Sequence, residues 1–465
     1  MKIYNSMTRK KEDFVTSSPN TVKMYTCGQT VYNDIHMGNA RFYVVFDAIR
    51  RYLEFKGYDV NLVQNFTDID DKIILKANEL GINWMELANK YINHTKEDLV
   101  NLNVLPATVY PKATDEMPGI IEFISSLIEK DYAYESNGTV YFDVSKFHEY
   151  GKLSRKVTSE LEAGVRIDVS DEKRSHVDFV LWKPGKPSEP TWESPWSKGR
   201  PGWHIECSAM IKRHLGDSID IHGGAEDLVF PHHENEIAQS EALNETELSK
   251  YWMHCGFLTV DNKKMSKSRG NFETYREVAE KYAPEVIRFY FLSVNYRMPM
   301  EFRAEVMDAA KSGLGRIKIC LESLNRKIDL AEPKAVNDLP KYENEITDFR
   351  NSFIKVMDDD FGTADAISVI FDLVKYINIK LADDTKWSKE MLHLMASELK
   401  SLCDILGLIY LEDSVNESKI EELVKARTDA KKNKDFAAAD KIRNDLLEMG
   451  IILEDTREGV HWRKI

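Results

Sequence analysis

The order of local patterns between residues 22 and 66 constrains the fold more than any other feature of this sequence. Residues 22–27, VKMYTC, have the pattern of a short buried strand, and GQTVYNDIHMGN has the polar turn residues of a loop. The next residues, ARFYVVFDAIRRYLEFKG, have helical periodicity and end at Gly57, and DVNLVQNF predicts a second strand. A strand, a crossover helix and a strand form a parallel unit, so we expect an α/β fold that binds ligands beyond the carboxyl ends of its strands.

Later segments predict that this α/β fold is interrupted and then extended. A helical pattern near 116–130, a β-rich stretch and the Pro- and Gly-rich run KPGKPSEPTWESPWSKGRPG indicate an insertion. Helical periodicity dominates beyond residue 305, and the charged segment EDSVNESK precedes a last unit of its own. We therefore expect a Rossmann-like parallel-sheet domain in two halves (1–110 and 196–305), a connective insertion (111–195), an α-helical bundle (306–412) and a small C-terminal domain (418–465).

Charge and cysteine usage narrow the class of protein. The N-terminus lacks an apolar signal segment and no apolar run approaches the ~18 residues of a membrane span, so we expect a cytoplasmic protein without membrane association. Five scattered cysteines do not fit a disulfide framework, which makes a metal ligand or nucleophile the better interpretation of any functional cysteine. The net charge of −14 disfavours general coating of nucleic acid, although residues 425–443 predict one basic helix.

Two short segments are candidates for binding phosphate. KMSKS, from Lys264 to Ser268, concentrates two ammonium groups and two hydroxyls, which suit a polyphosphate. His36, Gly38 and Asn39 of HMGN lie where the first loop meets its helix, and a helix N-terminus favours an anion. Taken singly, each segment is also typical of a solvated loop or a helix cap. The chain lacks the GxxxxGK[ST] and GxGxxG patterns, so any nucleotide binds through neither of those loops.

A second group of residues predicts a metal site. On a helix initiated by Pro231, His232 and Glu236 would project from one face. Cys27 ends the first strand, and Cys207 follows the segment by which the chain re-enters the sheet, so both thiols can reach the same edge. Two thiolates, an imidazole and a carboxylate suit zinc. Buried cysteines and HxxxE pairs are also common without any metal.

Taken together, HMGN and KMSKS resemble the HIGH and KMSKS motifs of class I aminoacyl-tRNA synthetases. The resemblance implies an ATP-dependent enzyme, with Mg²⁺ accompanying the nucleotide. It implies that the catalytic residues are His36, Lys264 and Lys267, and that the ATP site comprises His36, Gly38, Asn39, Lys267 and Asp227. Asn39 replaces the final histidine of HIGH, so no phosphate contact is carried over to it, and Asp227 would accept hydrogen bonds from a ribose or an ammonium group.

The segments CGQTVY, GWHIECS and FPHHENEIAQS are similar to the zinc-site segments of the cysteine-specific members of this family, and the resemblance runs along the whole chain. It implies one Zn²⁺ per chain, bound by Cys27, Cys207, His232 and Glu236. Thr67 and Trp203 would line the L-cysteine pocket together with the two zinc-bound cysteines. The implied reaction activates L-cysteine with ATP, releases pyrophosphate and transfers the cysteinyl group to the 3′ end of the cognate tRNA.

The same resemblance implies a monomer whose residues 418–465 bind the anticodon. Two alternatives stay open. One is the related ligase that joins cysteine to an amino sugar, which lacks such a terminus and is disfavoured by residues 420–465. The other is a non-catalytic paralogue that binds only tRNA or zinc.

Overall fold

A computed structural model describes most of the chain, in two compact units of residues 1–408 and 409–465. The described residues are 1–156, 173–187, 189–260, 263–264, 273–331, 339–382, 387–409, 414–432, 435–448, 451–456 and 459–464.

The first unit opens with the hairpin β1 (Lys2–Asn5) and β2 (Lys10–Asp13), and the predicted strand–helix–strand unit follows. It consists of β3 (Thr21–Thr26), α1 (Met37–Phe55) and β4 (Asp59–Gln64), and the two strands pair in parallel. Helix α1 ends as the sequence predicts, because Gly57 adopts a φ of 91° that side-chain-bearing residues rarely take.

Helices α2 (Asp71–Leu80), α3 (Trp84–Asn101) and α4 (Met117–Glu129) follow β4. A separate antiparallel sheet then forms in the predicted insertion, in the order β5-β6-β7-β8. Its strands are β5 (Ala133–Ser136), β6 (Thr139–Phe142), β7 (Phe179–Pro184) and β8 (Gly199–Pro201). Trp182 of β7 and Phe142 of β6 are buried in the core between this sheet and α4.

The chain returns to the parallel sheet through α5 (Trp203–His214), β9 (Ile219–Ala225), α6 (Glu234–Asn244) and β10 (Ser249–Cys255). The strand order β10-β9-β3-β4 is parallel throughout, which confirms the predicted sheet. Phe230 has extended angles (φ −141°, ψ 131°) and interrupts the turn Val229–His233, so helical backbone begins at Pro231, as predicted, and continues into α6 at Glu234.

A small sheet of β11 (Leu258–Val260), β12 (Lys263–Lys264) and β13 (Met300–Glu301) lies beyond β10. Between β12 and β13 the described residues form the helices α7 (Tyr275–Ala279) and α8 (Pro284–Leu292). The predicted helical part follows as α9 (Ala304–Leu330), α10 (Leu339–Met357), α11 (Thr363–Ala382) and α12 (Lys389–Ile405). Buried Arg288 of α8 pairs with buried Asp47 of α1 and donates to the carbonyl of Leu406, which joins the end of α12 to α8 and α1.

The second unit contains α13 (Ser414–Lys432), α14 (Phe436–Glu448) and the hairpin β14 (Ile451–Thr456) and β15 (Gly459–Lys464). Ile420, Leu446 and Ile451 form its core. The basic stretch predicted as one helix falls on two, because the Asp435 carboxylate accepts the backbone N–H of Ala438 and starts α14 afresh. None of the described helices is long and apolar enough to cross a membrane.

Candidate active site

A cleft of about 490 Å³ opens at the carboxyl ends of the parallel strands. Its walls come from the loop after β3, the first turns of α1, the start of α2 and the segments after β9 and β10. Of the residues predicted from sequence, it is lined by Cys27, His36, Gly38, Asn39, Trp203 and Asp227. The cleft therefore lies where the strand order predicts a ligand site, and the candidate nucleotide and amino acid residues share it.

His36 and Asn39 form a reciprocal cap at the start of α1. The Nδ1 atom of His36 accepts the Asn39 backbone N–H at 3.0 Å, and Oδ1 of Asn39 accepts the His36 backbone N–H at 3.4 Å. Because Nδ1 is an acceptor, Nε2 of a neutral His36 carries the hydrogen and is a donor, as a phosphate requires. A Cβ on Gly38 would lie 2.9 Å from the His36 ring, so only glycine leaves the ring in place.

The chain that follows KMSKS returns beside His36. Met37 donates its N–H to the Glu273 carbonyl at 3.2 Å, and Tyr275 donates to the Ile35 carbonyl at 2.8 Å. The backbone of Lys264 belongs to β12, which pairs with β11. Lys267 lies outside the described residues. Asp227 lies in the turn after β9 and lines the same cleft.

Cys27, Cys207, His232 and Glu236 converge at the base of the cleft, and their ligand atoms lie within 4.8 Å of one another. The Sγ atoms are 4.0 Å apart, Cys207 Sγ lies 3.5 Å from His232 Nε2, and Cys27 Sγ lies 3.4 Å from Glu236 Oε1. His232 Nε2 lies 3.1 Å from Glu236 Oε1. Zinc bonds of about 2.0 to 2.3 Å give a tetrahedron with edges of about 3.3 to 3.8 Å, close to these separations.

A second group of four overlaps the first and replaces Cys207 and His232 by His222 and His233. His233 Nε2 lies 3.4 Å from Cys27 Sγ, and His222 Nε2 lies 2.9 Å from Glu236 Oε2. A ring of each group is held from outside, because Nδ1 of His204 shares a hydrogen bond of 2.8 Å with Nδ1 of His232, and Nε2 of His254 shares one of 2.9 Å with Nδ1 of His233. The first group differs in having two sulfur donors, which suit zinc better than one.

The pKa values of the four groups shift in opposite directions. Those of Cys27 and His232 are raised, and those of Cys207 and Glu236 are lowered. Burial raises the pKa of Cys27 well above its usual range, and the hydrogen bond from Cys27 lowers the pKa of Cys207 to about 6. Burial opposes protonation of His232, but Glu236 and Cys207 outweigh it and raise the pKa of His232 to about 10. Burial also disfavours ionised Glu236, yet the charges of His222 and His232 hold its pKa well below the usual range.

The two residues predicted for the amino acid pocket occupy different depths. Trp203 begins α5, stays 40% exposed and stacks on His232 with ring centroids 4.2 Å apart. Thr67 is 2% exposed, and its hydroxyl donates to the Glu206 carboxylate at 2.9 Å. Trp203 therefore covers His232 on the cleft side, whereas Thr67 is buried.

Part of the cleft wall is formed by residues that the sequence did not predict. The additional lining residues include Gln29, Tyr32, Asn33, Phe42, Tyr43, Lys72 and Phe257. Several belong to the loop GQTVYNDIHMGN, whose place directly after a strand was the signal that could have identified them. Lys72 follows the acidic residues Asp68, Asp70 and Asp71 at the start of α2.

Comparisons with known proteins agree with this organisation. Residues 13–312 match the profile described as the tRNA synthetases class I (C) catalytic domain, 352–411 match the DALR domain and 417–463 match the cysteinyl-tRNA ligase anticodon binding domain. The chain is 54% identical to a cysteine–tRNA ligase of Lachnoclostridium phytofermentans and 52% identical to that of Clostridioides difficile, in each case over 100% of both chains.

Solved structures resemble the chain in fold. Mycobacterium tuberculosis methionyl-tRNA synthetase in complex with methionyl-adenylate has a TM-score of 0.59 at 14% identity and covers 83% of this chain and 90% of its own. A ternary complex of Agrobacterium radiobacter K84 agnB2 LeuRS with tRNA and LeuAMS has a TM-score of 0.61 at 10% identity, covering 85% of each chain.

Proposed function

The chain belongs to the cysteine–tRNA ligase family of class I aminoacyl-tRNA synthetases, and from this premise we propose that it selects L-cysteine through a zinc–thiolate bond. Membership makes the protein an enzyme that joins cysteine to tRNA with ATP. Of the two alternatives left open by the sequence, the amino-sugar ligase is disfavoured by the match of residues 417–463 to an anticodon binding domain. The non-catalytic paralogue is disfavoured by full-length relatives named as ligases.

The donor set carries the zinc proposal. Cys27, Cys207, His232 and Glu236 are each at most 5% exposed and lie at near-tetrahedral separations, while His204 and His222 bind the outer atoms of two of them. When bound, zinc supplies a soft Lewis acid that prefers a thiolate to a hydroxyl, which distinguishes cysteine from serine. Four ligands from the protein mean that the substrate sulfur adds as a further ligand or displaces one of them.

The remaining residues of the cleft orient the reactants. Trp203, stacked on His232, excludes water from the cluster, and buried Thr67 supports the pocket from behind through Glu206. We assign His36, Gly38, Lys264 and Lys267 to the ATP phosphates, which arrive with Mg²⁺. Asn39 serves the ATP site as the cap that holds His36, and Asp227 receives the ribose or the substrate ammonium group.

The reaction then follows in two steps. The ionised carboxylate of cysteine attacks the α-phosphorus of ATP, the bond to pyrophosphate breaks, and the cationic side chains stabilise the charge that leaves. A terminal ribose hydroxyl of tRNA-Cys next attacks the cysteinyl carbonyl and AMP leaves. We assign the domain roles as predicted, with residues 1–110 and 196–305 catalytic, 111–195 connective, 306–412 a helical bundle and 418–465 anticodon-binding, in a cytoplasmic monomer.

Zinc K-edge X-ray absorption tests the proposal. The purified protein should contain one zinc with two sulfur and two nitrogen or oxygen ligands, because Cys27 and Cys207 both bind it. Addition of L-cysteine without ATP should add a third sulfur, and L-serine should add none. A shell with one sulfur would favour the group containing His222 and His233, and an unchanged spectrum with cysteine would refute selection at the metal.

A further inference from the structure

Lys72 is the cationic residue of the cleft that the reaction described above does not use. It lines the cleft and is exposed, and among the described lining residues it is the only lysine or arginine. Its ammonium lies 5.7 Å from the centre of the Tyr32 ring, and Tyr32 lines the cleft as well. Within the described part of the chain, no carboxylate lies within the 4.0 Å of an ion pair with Lys72.

The acidic groups beside Lys72 are engaged elsewhere. The Asp70 carboxylate caps α2 by accepting the backbone N–H of Lys72 at 2.8 Å. Asp71 pairs with Lys183 of β7 at 2.6 Å and also with Arg200 of β8. These contacts leave the charge of Lys72 available to an anion that enters the cleft.

The strand order places Lys72 on the side of the sheet away from Asp227 and Lys264, next to the His36 segment that follows β3. Asp227 follows β9 and Lys264 follows β10, whereas Lys72 follows β4 at the opposite edge of the sheet. The pairing of Asp71 with β7 and β8 puts the start of α2 directly against the inserted sheet. Lys72 therefore lies at the entrance between the insertion and the cleft.

We propose that Lys72 binds a backbone phosphate of the single-stranded 3′ end of tRNA as this end enters the cleft, with Tyr32 offering its ring to an unstacked base. A mobile ammonium beside an aromatic ring is the combination with which proteins bind single-stranded nucleic acid. The second reactant must reach the cysteinyl carbonyl from outside the pocket. An entrance on this side of the sheet keeps the incoming strand away from Asp227 and Lys264.

This proposal rests on the ligase reaction, and the two half-reactions allow its failure to be told from a failure of zinc selection. The variants are Lys72→Gln, Lys72→Arg and, as matched control, Lys76→Gln. Lys76 lies one turn further along α2 and pairs with Glu79 at 3.2 Å. Wild type and each variant are assayed for ATP–pyrophosphate exchange with cysteine and, separately, with serine. Each is also assayed for aminoacylation of tRNA-Cys over a series of salt concentrations.

For Lys72→Gln, the loss in kcat/KM for tRNA should exceed the loss in exchange by at least about tenfold. For the same variant, the slope of log(kcat/KM) against log[salt] should be shallower by about 0.7, the value expected for the loss of one contact with a single-strand phosphate. Lys72→Arg should restore most of the tRNA activity, and Lys76→Gln should match wild type in both assays. Equal losses in both half-reactions, or aminoacylation by Lys72→Gln at the wild-type level, would overturn the proposal. Failure of zinc selection would instead appear as exchange with serine in all four proteins.

Discussion

Zinc binding by this protein should release about two protons at pH 7.5, a number that follows from the protonation of the four ligands. In protein stripped of metal by a chelator, Cys27 keeps its proton because burial raises its pKa, whereas Cys207, with a pKa of about 6, is mostly thiolate. His232 is protonated because its pKa is about 10, and Glu236 is ionised. A bound zinc needs both thiolates and a neutral imidazole, so the protons of Cys27 and His232 must leave.

Isothermal titration calorimetry measures this release directly. Zinc is titrated into the stripped protein in buffers of different ionisation enthalpy, and the slope of observed enthalpy against buffer enthalpy gives the number of protons. The apparent affinity should rise about 100-fold for each pH unit between 7 and 8, since two protons compete with the metal. Below pH 6 the dependence should steepen, because Cys207 then holds a proton as well.

A release of about one proton per zinc, or fewer, would refute this account of the site. A release of one proton would fit a site that uses His233 in place of His232. Cys27 would still lose its proton, whereas burial and the neighbouring His222 depress the pKa of His233 and leave it no proton to give up.

Three substitutions test other parts of the structure. In Gly28→Ala the new Cβ would lie 1.6 Å from the Asn65 carbonyl oxygen, so the loop after Cys27 must shift. The free energy of unfolding, measured in urea, should fall by about 1 to 3 kcal/mol, and exchange activity should fall as well. Arg288→Met leaves Asp47 with one fewer buried partner, so the free energy of unfolding should fall by about 3 kcal/mol in the same assay. Burial raises the pKa of Asp98 to about 6, so wild type should lose stability relative to Asp98→Asn as the pH rises from about 4 to 6.

Each substitution has its own control or contrary outcome. Gly119→Ala adds a Cβ with nothing within 4 Å and should unfold at the same or higher urea concentration. Arg326→Met removes an exposed arginine of α9 and should leave the free energy of unfolding unchanged. Parallel stability curves for wild type and Asp98→Asn between pH 4 and 6 would contradict the assigned pKa. Stability falls as the pH rises from about 4 to 6 because the folded state still holds the Asp98 proton in this range, whereas the unfolded chain has lost it.

The sequence predicted those parts of the fold that depend on local pattern. The alternation in VKMYTC, the helical period that ends at Gly57 and the apolar run DVNLVQNF lie within a few dozen residues, and each forms the expected element. The parallel sheet follows from them because a crossover helix of that length permits few other connections. The domain boundaries within the first unit remain predictions.

Features that depend on distant contacts were beyond local reasoning. The extended angles of Phe230, which interrupt the turn Val229–His233, were not predicted. The engagement of Asn39 in a cap with His36 needs two loop positions to meet in space. Spacing also did not reveal that His222 and His233 approach the same carboxylate and thiol as the predicted ligands, because three separate strand and helix ends bring them there.

Cysteine-dependent ATP–pyrophosphate exchange tests the central claim most directly, with serine as competitor substrate and Cys207→Ser beside wild type. Cys320→Ser is the control, because Cys320 is a buried thiol of α9 in the helical part. Wild type and Cys320→Ser should exchange with cysteine at least about 100-fold better than with serine, and Cys207→Ser should lose the cysteine reaction. Undiminished exchange by Cys207→Ser, or comparable exchange with serine by wild type, would contradict selection of the substrate through the metal cluster.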